Sequence, residues 1–271
     1  MARIRVRTTR FPSALALTLS TALVLTATAC GSGEDDSAGT GGKDGDAPVV
    51  VATTTWEGAF AEAAGAEDVK VVVPSSAQHA PDYDPRPSDL AAVAEADFVL
   101  YAPFEPYAEK IKEAAGSDAR LVEVGLDNDA GKVSEEVTRL GKLFGTEDAA
   151  AKWNAAFKSE YATLRKKLKA AWPGGEAPAV VAQVFSVWSA KMAGARVTGT
   201  YGPEAVTAAQ LSGLAEKKPA YVFDNAHMTT GEVLPDAGAE QVEIVNYPGE
   251  DLDLLAVYRD AAKTIEKAMT A

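Results

Sequence analysis

An α/β fold of two lobes is what this sequence predicts. Each lobe is a mostly parallel sheet flanked by helices, and one long spine helix joins them. Three observations carry this reading. Short runs of β-branched and apolar residues recur in both halves of the chain. Helix-compatible stretches lie between most of them, and strands alternating with helices favour parallel sheets covered on both faces. A single long amphipathic segment stands where the two sets of strands meet.

In the first half the strand runs are 48–53, 69–73, 97–101 and 120–124, and the helix-compatible stretches include 58–66, 87–96 and 103–115. The second half supplies strand runs at 179–182, 196–199, 220–223 and 241–245. The joining segment reads as helix from its caps and its period. Thr146 stands at the N-cap, with Glu147 and Asp148 in the first turn, where the helix dipole favours negative charge. Trp153, Phe157, Tyr161, Leu164, Leu168 and Trp172 then make one apolar stripe. Arg165, Lys166, Lys167 and Lys169 crowd the C-terminal end, and Pro173-Gly174-Gly175 stops the helix. Core packing accounts for its aromatic residues. The expected boundaries are 47–143 for the first lobe, 144–173 for the spine and 174–271 for the second lobe.

The N-terminal region predicts export. Arg3, Arg5, Arg7 and Arg10 precede an apolar stretch at 14–29 that is too short and hydroxyl-rich to span a membrane. Residues 1–29 therefore read as a signal peptide. Small residues lead into Cys30, the only cysteine of the chain, and Leu25-Thr26-Ala27-Thr28-Ala29-Cys30 resembles a bacterial lipobox. That resemblance implies lipidation at Cys30 and a location on the extracytoplasmic face of the cell membrane. Residues 30–46 are rich in glycine and acids and almost free of apolar side chains. Such a segment buries too little to offset its ordering entropy and reads as a tether spanning about 20 Å. Removing residues 1–29 takes four arginines and no acid with it, which moves the formal charge from −13 to −17. A surface this acidic repels phosphate backbones and anionic headgroups, so nucleic acid is excluded as an expected partner.

The loop after the second strand run carries the most specific motif. Tyr83-Asp84-Pro85-Arg86-Pro87-Ser88-Asp89 places two prolines in extended backbone just ahead of a helix start. The run Ala92 to Tyr101 and Phe104-Glu105-Pro106-Tyr107 follow it. Together these resemble the zinc and manganese substrate-binding proteins of ABC importers, with a fainter likeness at 197–204 and 209–211. The resemblance implies two lobes around a cleft, capture of a ligand outside the membrane, and delivery to a membrane permease.

The ligand set departs from that family. The resemblance implies a histidine two residues before Tyr83, where Pro81 stands; the nearest histidine is His79. A histidine is also implied before the spine, and residues 125–131 contain none. Gln183 takes the place of a histidine opening the second lobe, and Asn246 that of an acid after the last strand. High zinc affinity needs about four close ligands, and a neutral amide is a poor one. A rebuilt site would draw on His79, His227, Asp82, Asp84 and Asp224, since open α/β sheets bind ligands at the carboxyl ends of their strands. The alternatives stand beside this. His79 also reads as an exposed loop histidine, His227 as a helix-start or core histidine, and Asp84 and Asp89 as braces of the loop. Gln183 and Asn246 also read as lobe-to-lobe hydrogen-bond partners.

Trp56, Tyr83, Trp188 and Tyr247 follow strand ends or lie on the motif loop. Aromatic walls with amides suit an organic molecule or a chelated metal; core filling is the other reading of Trp188. No nucleophile elbow, His-Glu-x-x-His motif or phosphate loop is present, so no enzyme is expected. The expected function is that of a monomeric, lipid-anchored solute-binding protein of an ABC importer. Its cargo is zinc or manganese, bare or chelated, transported rather than held as a cofactor. The alternative is the same fold binding a small organic ligand.

Overall fold

The computed structural model describes residues 48–75, 82–117, 119–229 and 231–270. Residues 1–29, Cys30, the tether at 30–46 and His79 lie outside the described residues.

The first lobe runs β1 (Val49–Ala52), α1 (Thr55–Ala63), β2 (Asp68–Val71), α2 (Pro87–Glu95), β3 (Phe98–Tyr101), α3 (Ala108–Ala114), β4 (Arg120–Glu123) and α4 (Ala130–Phe144). Its sheet is parallel throughout, in the order β2-β1-β3-β4. The spine is α5 (Glu147–Ala170), about 36 Å long at about 1.5 Å per residue. The second lobe follows with β5 (Ala179–Gln183), α6 (Val187–Ala193), β6 (Arg196–Tyr201), α7 (Ala208–Ala215), β7 (Tyr221–Asn225), β8 (Glu240–Ile244) and α8 (Leu254–Thr270). Its order, β6-β5-β7-β8, repeats that of the first sheet, again all parallel. The order reverses between β1 and β3, and again between β5 and β7. These are the points where such sheets open a crevice at their carboxyl ends.

The strand period decides which residues meet. Val50 and Ala52 of β1 join Phe98 and Leu100 of β3 on one face, against α1, α4 and the spine. Val51 and Val99 point the other way, toward Val93 of α2 and Ile111 of α3. In the second lobe Val180, Ala182 and Phe223 face the spine side, while Val181 and Val222 pack with Leu214 of α7. The spine-side layers of both sheets merge into one apolar core, and α8 returns across it to contact α1, α5 and α6.

Two local expectations change in the structure. Thr146 is at the N-cap of α5, but its hydroxyl makes no cap bond; it donates to the Ala64 carbonyl at 2.6 Å and ties the end of α1 to the spine. The helix expected over 103–115 shortens to α3. Glu105 accepts the Ala102 N–H and the Tyr107 hydroxyl, each at 3.1 Å, and this holds a turn between Pro103 and the helix.

The contact between α4 and α5 is close. A Cβ added at Gly141 would stand 2.5 Å from the Ala150 Cβ. Gly141→Ala is therefore expected to destabilise by about 1–3 kcal/mol, although alanine is the better helix former. Urea denaturation checks this; an unchanged or raised midpoint would mean that the helices can spread without cost.

Candidate functional site

Loops leaving the strand ends of both sheets gather along the seam between the lobes. Hydrogen bonds cross it: the Thr55 hydroxyl donates to the Pro248 carbonyl at 2.9 Å, and Asn128 Nδ2 donates to the Asn246 carbonyl at 2.6 Å. The Trp56 and Tyr247 rings meet with centroids 6.2 Å apart.

On the first-lobe side, Thr54 and Glu57 form a capping box that opens α1. Glu57 accepts from both the N–H and the hydroxyl of Thr54 through Oε2, while its Oε1 is buried without a partner among the described residues. Burial first, and then the neighbouring Glu105, push the Glu57 carboxyl up to about 8. Burial raises Glu105 as well, and burial with the Glu105 carboxylate drives the Tyr107 hydroxyl upward. This carboxyl pair has a sequence signal in part: a threonine three residues before Glu57, with apolar residues following, marks a capping box.

Amides from both lobes line the seam. Gln183 ends β5, and its Oε1 accepts the Phe185 N–H at 2.6 Å. Asn246 lies just beyond β8, and its Oδ1 accepts the Trp188 indole N–H at 2.8 Å. Asn128 comes from the loop before α4, and its backbone carbonyl accepts the Tyr258 hydroxyl at 3.0 Å. All three amides are buried. Among the described residues, Gln183 Nε2, Asn246 Nδ2 and Asn128 Oδ1 have no partner. Sequence reasoning missed Asn128, because nothing in its setting between two aspartates marks it as buried.

The structure places the predicted site residues in separate groups. His227 lies at the surface with one face on the Tyr247 ring, centroids 4.0 Å apart and planes at 26°, and burial lowers its pKa. Trp56, Tyr247 and His227 thus stand together as an aromatic wall. Trp188 is buried and joins Asn246 through its indole N–H.

The carboxylates go elsewhere. Asp224 is buried inside the second lobe, accepting from the Tyr201 hydroxyl at 2.7 Å, the Asn225 N–H at 2.9 Å and Gln241 at 3.3 Å. Asp84 is exposed and paired with Lys110 at 2.6 Å. Asp82 is exposed on the motif loop. The Tyr83 hydroxyl donates to Asp89 at 2.8 Å, and Asp89 also accepts the Arg86 N–H, which braces the loop. Among the described residues, no three of His, Cys, Asp and Glu come together in a way that could hold a metal ion.

Residues 50–151 match the family described as zinc-uptake complex component A, periplasmic. None of the curated proteins is a sequence match. Among solved structures, the chain is similar to the laminin-binding protein Lbp of Streptococcus pyogenes, with 17% identity and a TM-score of 0.60 over 83% of this chain and 100% of that one. It is similar to the SBP FpvC of Pseudomonas aeruginosa in complex with Ni2+, at 12% identity and TM-score 0.60, covering 82% and 96%. A ZnuA deletion mutant with zinc bound shares 20% identity and a TM-score of 0.58, covering 83% and 99%. At these identities the likeness is one of fold. The resemblance read from the motif loop and the two-lobed α/β architecture both agree with these matches.

Proposed function

We propose that this chain is the extracytoplasmic solute-binding lipoprotein of an ABC importer, anchored through a lipid on Cys30 and working as a monomer with a membrane permease. Its cargo is a transition metal, zinc or manganese, bare or chelated, taken up at the seam between the lobes. The observation that carries this reading is the family pattern over residues 50–151, set on two parallel sheets whose strand-end loops meet across one seam. Anchoring rests on the sequence around Cys30, and no helix among the described residues is long and apolar enough to cross a membrane. The seam contacts Thr55–Pro248, Asn128–Asn246 and Trp56–Tyr247 are those that must part for cargo to enter and leave.

Elemental analysis of the protein isolated from the cells that make it tests this. Zinc or manganese is expected at a stoichiometric level, and cells lacking the protein should accumulate less of that metal. Trace metal only, together with unchanged uptake, would overturn the assignment. A second reading is favoured by the scattered carboxylates and the single described histidine: the same fold carries a small organic ligand free of metal.

A further inference from the structure

The amides at the seam hold one orientation each, because only one half of each can make the bond it makes. The Phe185 N–H and the Trp188 indole N–H both need acceptors, so the carbonyl oxygens of Gln183 and Asn246 must face them. The Asn246 carbonyl needs a donor, so Asn128 must present its NH2 there. What remains is the NH2 of Gln183, the NH2 of Asn246 and the side-chain carbonyl of Asn128, all buried and without partners among the described residues. Buried polar groups in folded proteins are nearly always paired, with protein, ordered water or a bound molecule, so these three are open to a guest. The Trp56 indole N–H is a further buried donor without a partner among the described residues.

A metal ion needs lone pairs. An amide NH2 has none to give, since its nitrogen pair is delocalised into the carbonyl. Gln183 and Asn246 could ligate an ion only by turning over and setting N–H against N–H. The two free NH2 groups instead suit a molecule that brings acceptors of its own. Beside them the Tyr247 ring is 37% exposed and stacked on His227, and Phe185 is 51% exposed. Flat rings at the mouth of a site favour a flat guest. The amides, the rings and Trp56 include no lysine or arginine, and the chain is strongly acidic overall, which disfavours an anion.

Resting on the reading that this seam is the cargo site, we infer that it takes a non-anionic organic molecule with a flat conjugated part. Carbonyl, ether or ring-nitrogen acceptors of that molecule meet the Gln183 and Asn246 amides, and a donor meets Asn128. Any metal travels inside that molecule and not as a naked ion.

The paired variant Gln183→Glu with Asn246→Asp tests this. Each carboxylate still accepts the Phe185 or Trp188 N–H, so the fold is kept, and thermal melting verifies that. Each also replaces the free donor with lone pairs. Native mass spectrometry of the wild-type protein from its own cells is expected to show a bound organic mass, and the paired variant to lose it. Titration with zinc chloride or manganese chloride alone is expected to give at least tenfold tighter binding in the paired variant than in wild type. Wild type that carries only ions, carries nothing, or binds the bare salts as tightly as the variant overturns the inference. The metal content of the released molecule is read separately. An organic mass without metal leaves this inference standing and ends the metal-import reading; a bare ion does the reverse.

Discussion

Phe157→Ala is expected to lower the unfolding free energy by about 3–5 kcal/mol, a large part of the 5–15 kcal/mol that holds an ordinary domain together. Phe157 is 2% exposed on the spine. Its ring stacks on Trp153, centroids 5.0 Å apart with planes at 15°, and meets the edge of Tyr258 at 4.9 Å. Tyr258 in turn meets Trp188 at 5.1 Å and 69°. The cluster therefore joins the spine, α6 and α8, where the cores of the two sheets become one. Truncation opens a cavity that rigid neighbours on three helices cannot refill, and aromatic contact energy is lost in addition to buried area. Because the core is shared, urea denaturation should show one cooperative transition displaced as a whole, with Phe157→Leu losing less. A loss below about 1 kcal/mol, or two separate transitions, would refute a shared core.

Glu57→Gln is expected to reduce the fall of stability between pH 5 and 8, leaving the part that the buried Glu105 contributes in the same direction, and to stabilise the protein at pH 8. The folded Glu57 holds its proton up to about pH 8, against 4.5 for the ordinary carboxyl. Below pH 4.5 both folded and unfolded chains are protonated, and the stability is full. As pH rises toward 8, only the unfolded chain gains by ionising, so stability falls through that window. Each unit of difference is worth about 1.4 kcal/mol, so the total is on the order of a few kcal/mol. Glutamine is neutral at every pH and still completes the capping box with Thr54, so the helix start survives. The lowered pKa of His227 works in the opposite direction and only below its ordinary 6.5. Urea midpoints at pH 5 and 8 decide the matter: a Gln variant that keeps the wild-type slope would show that Glu57 is not the buried proton holder.

The candidate site was legible in the sequence only in part. Trp56 and Tyr247 follow strand ends, and the structure brings them together with His227. Asp224 follows a strand end by the same reading and is turned into the second lobe by Tyr201, while Asp84 on the motif loop is exposed beside Lys110. A carboxylate goes where its strongest donor is, and no sequence spacing states where that donor will be.

By itself the sequence determined the eight parallel strands, the spine and the loop braced by Asp89. Each rests on a period or a cap that a few neighbouring residues specify. Only the tertiary structure decided what Gln183, Asn246 and Asn128 offer. An amide letter carries a donor and an acceptor together, and which half is left free depends on its partner. For Asn246 that partner is Trp188, 58 residues away, and for Asn128 it is Asn246, 118 residues away. Bonds over such separations exist only once both sheets have closed on one core.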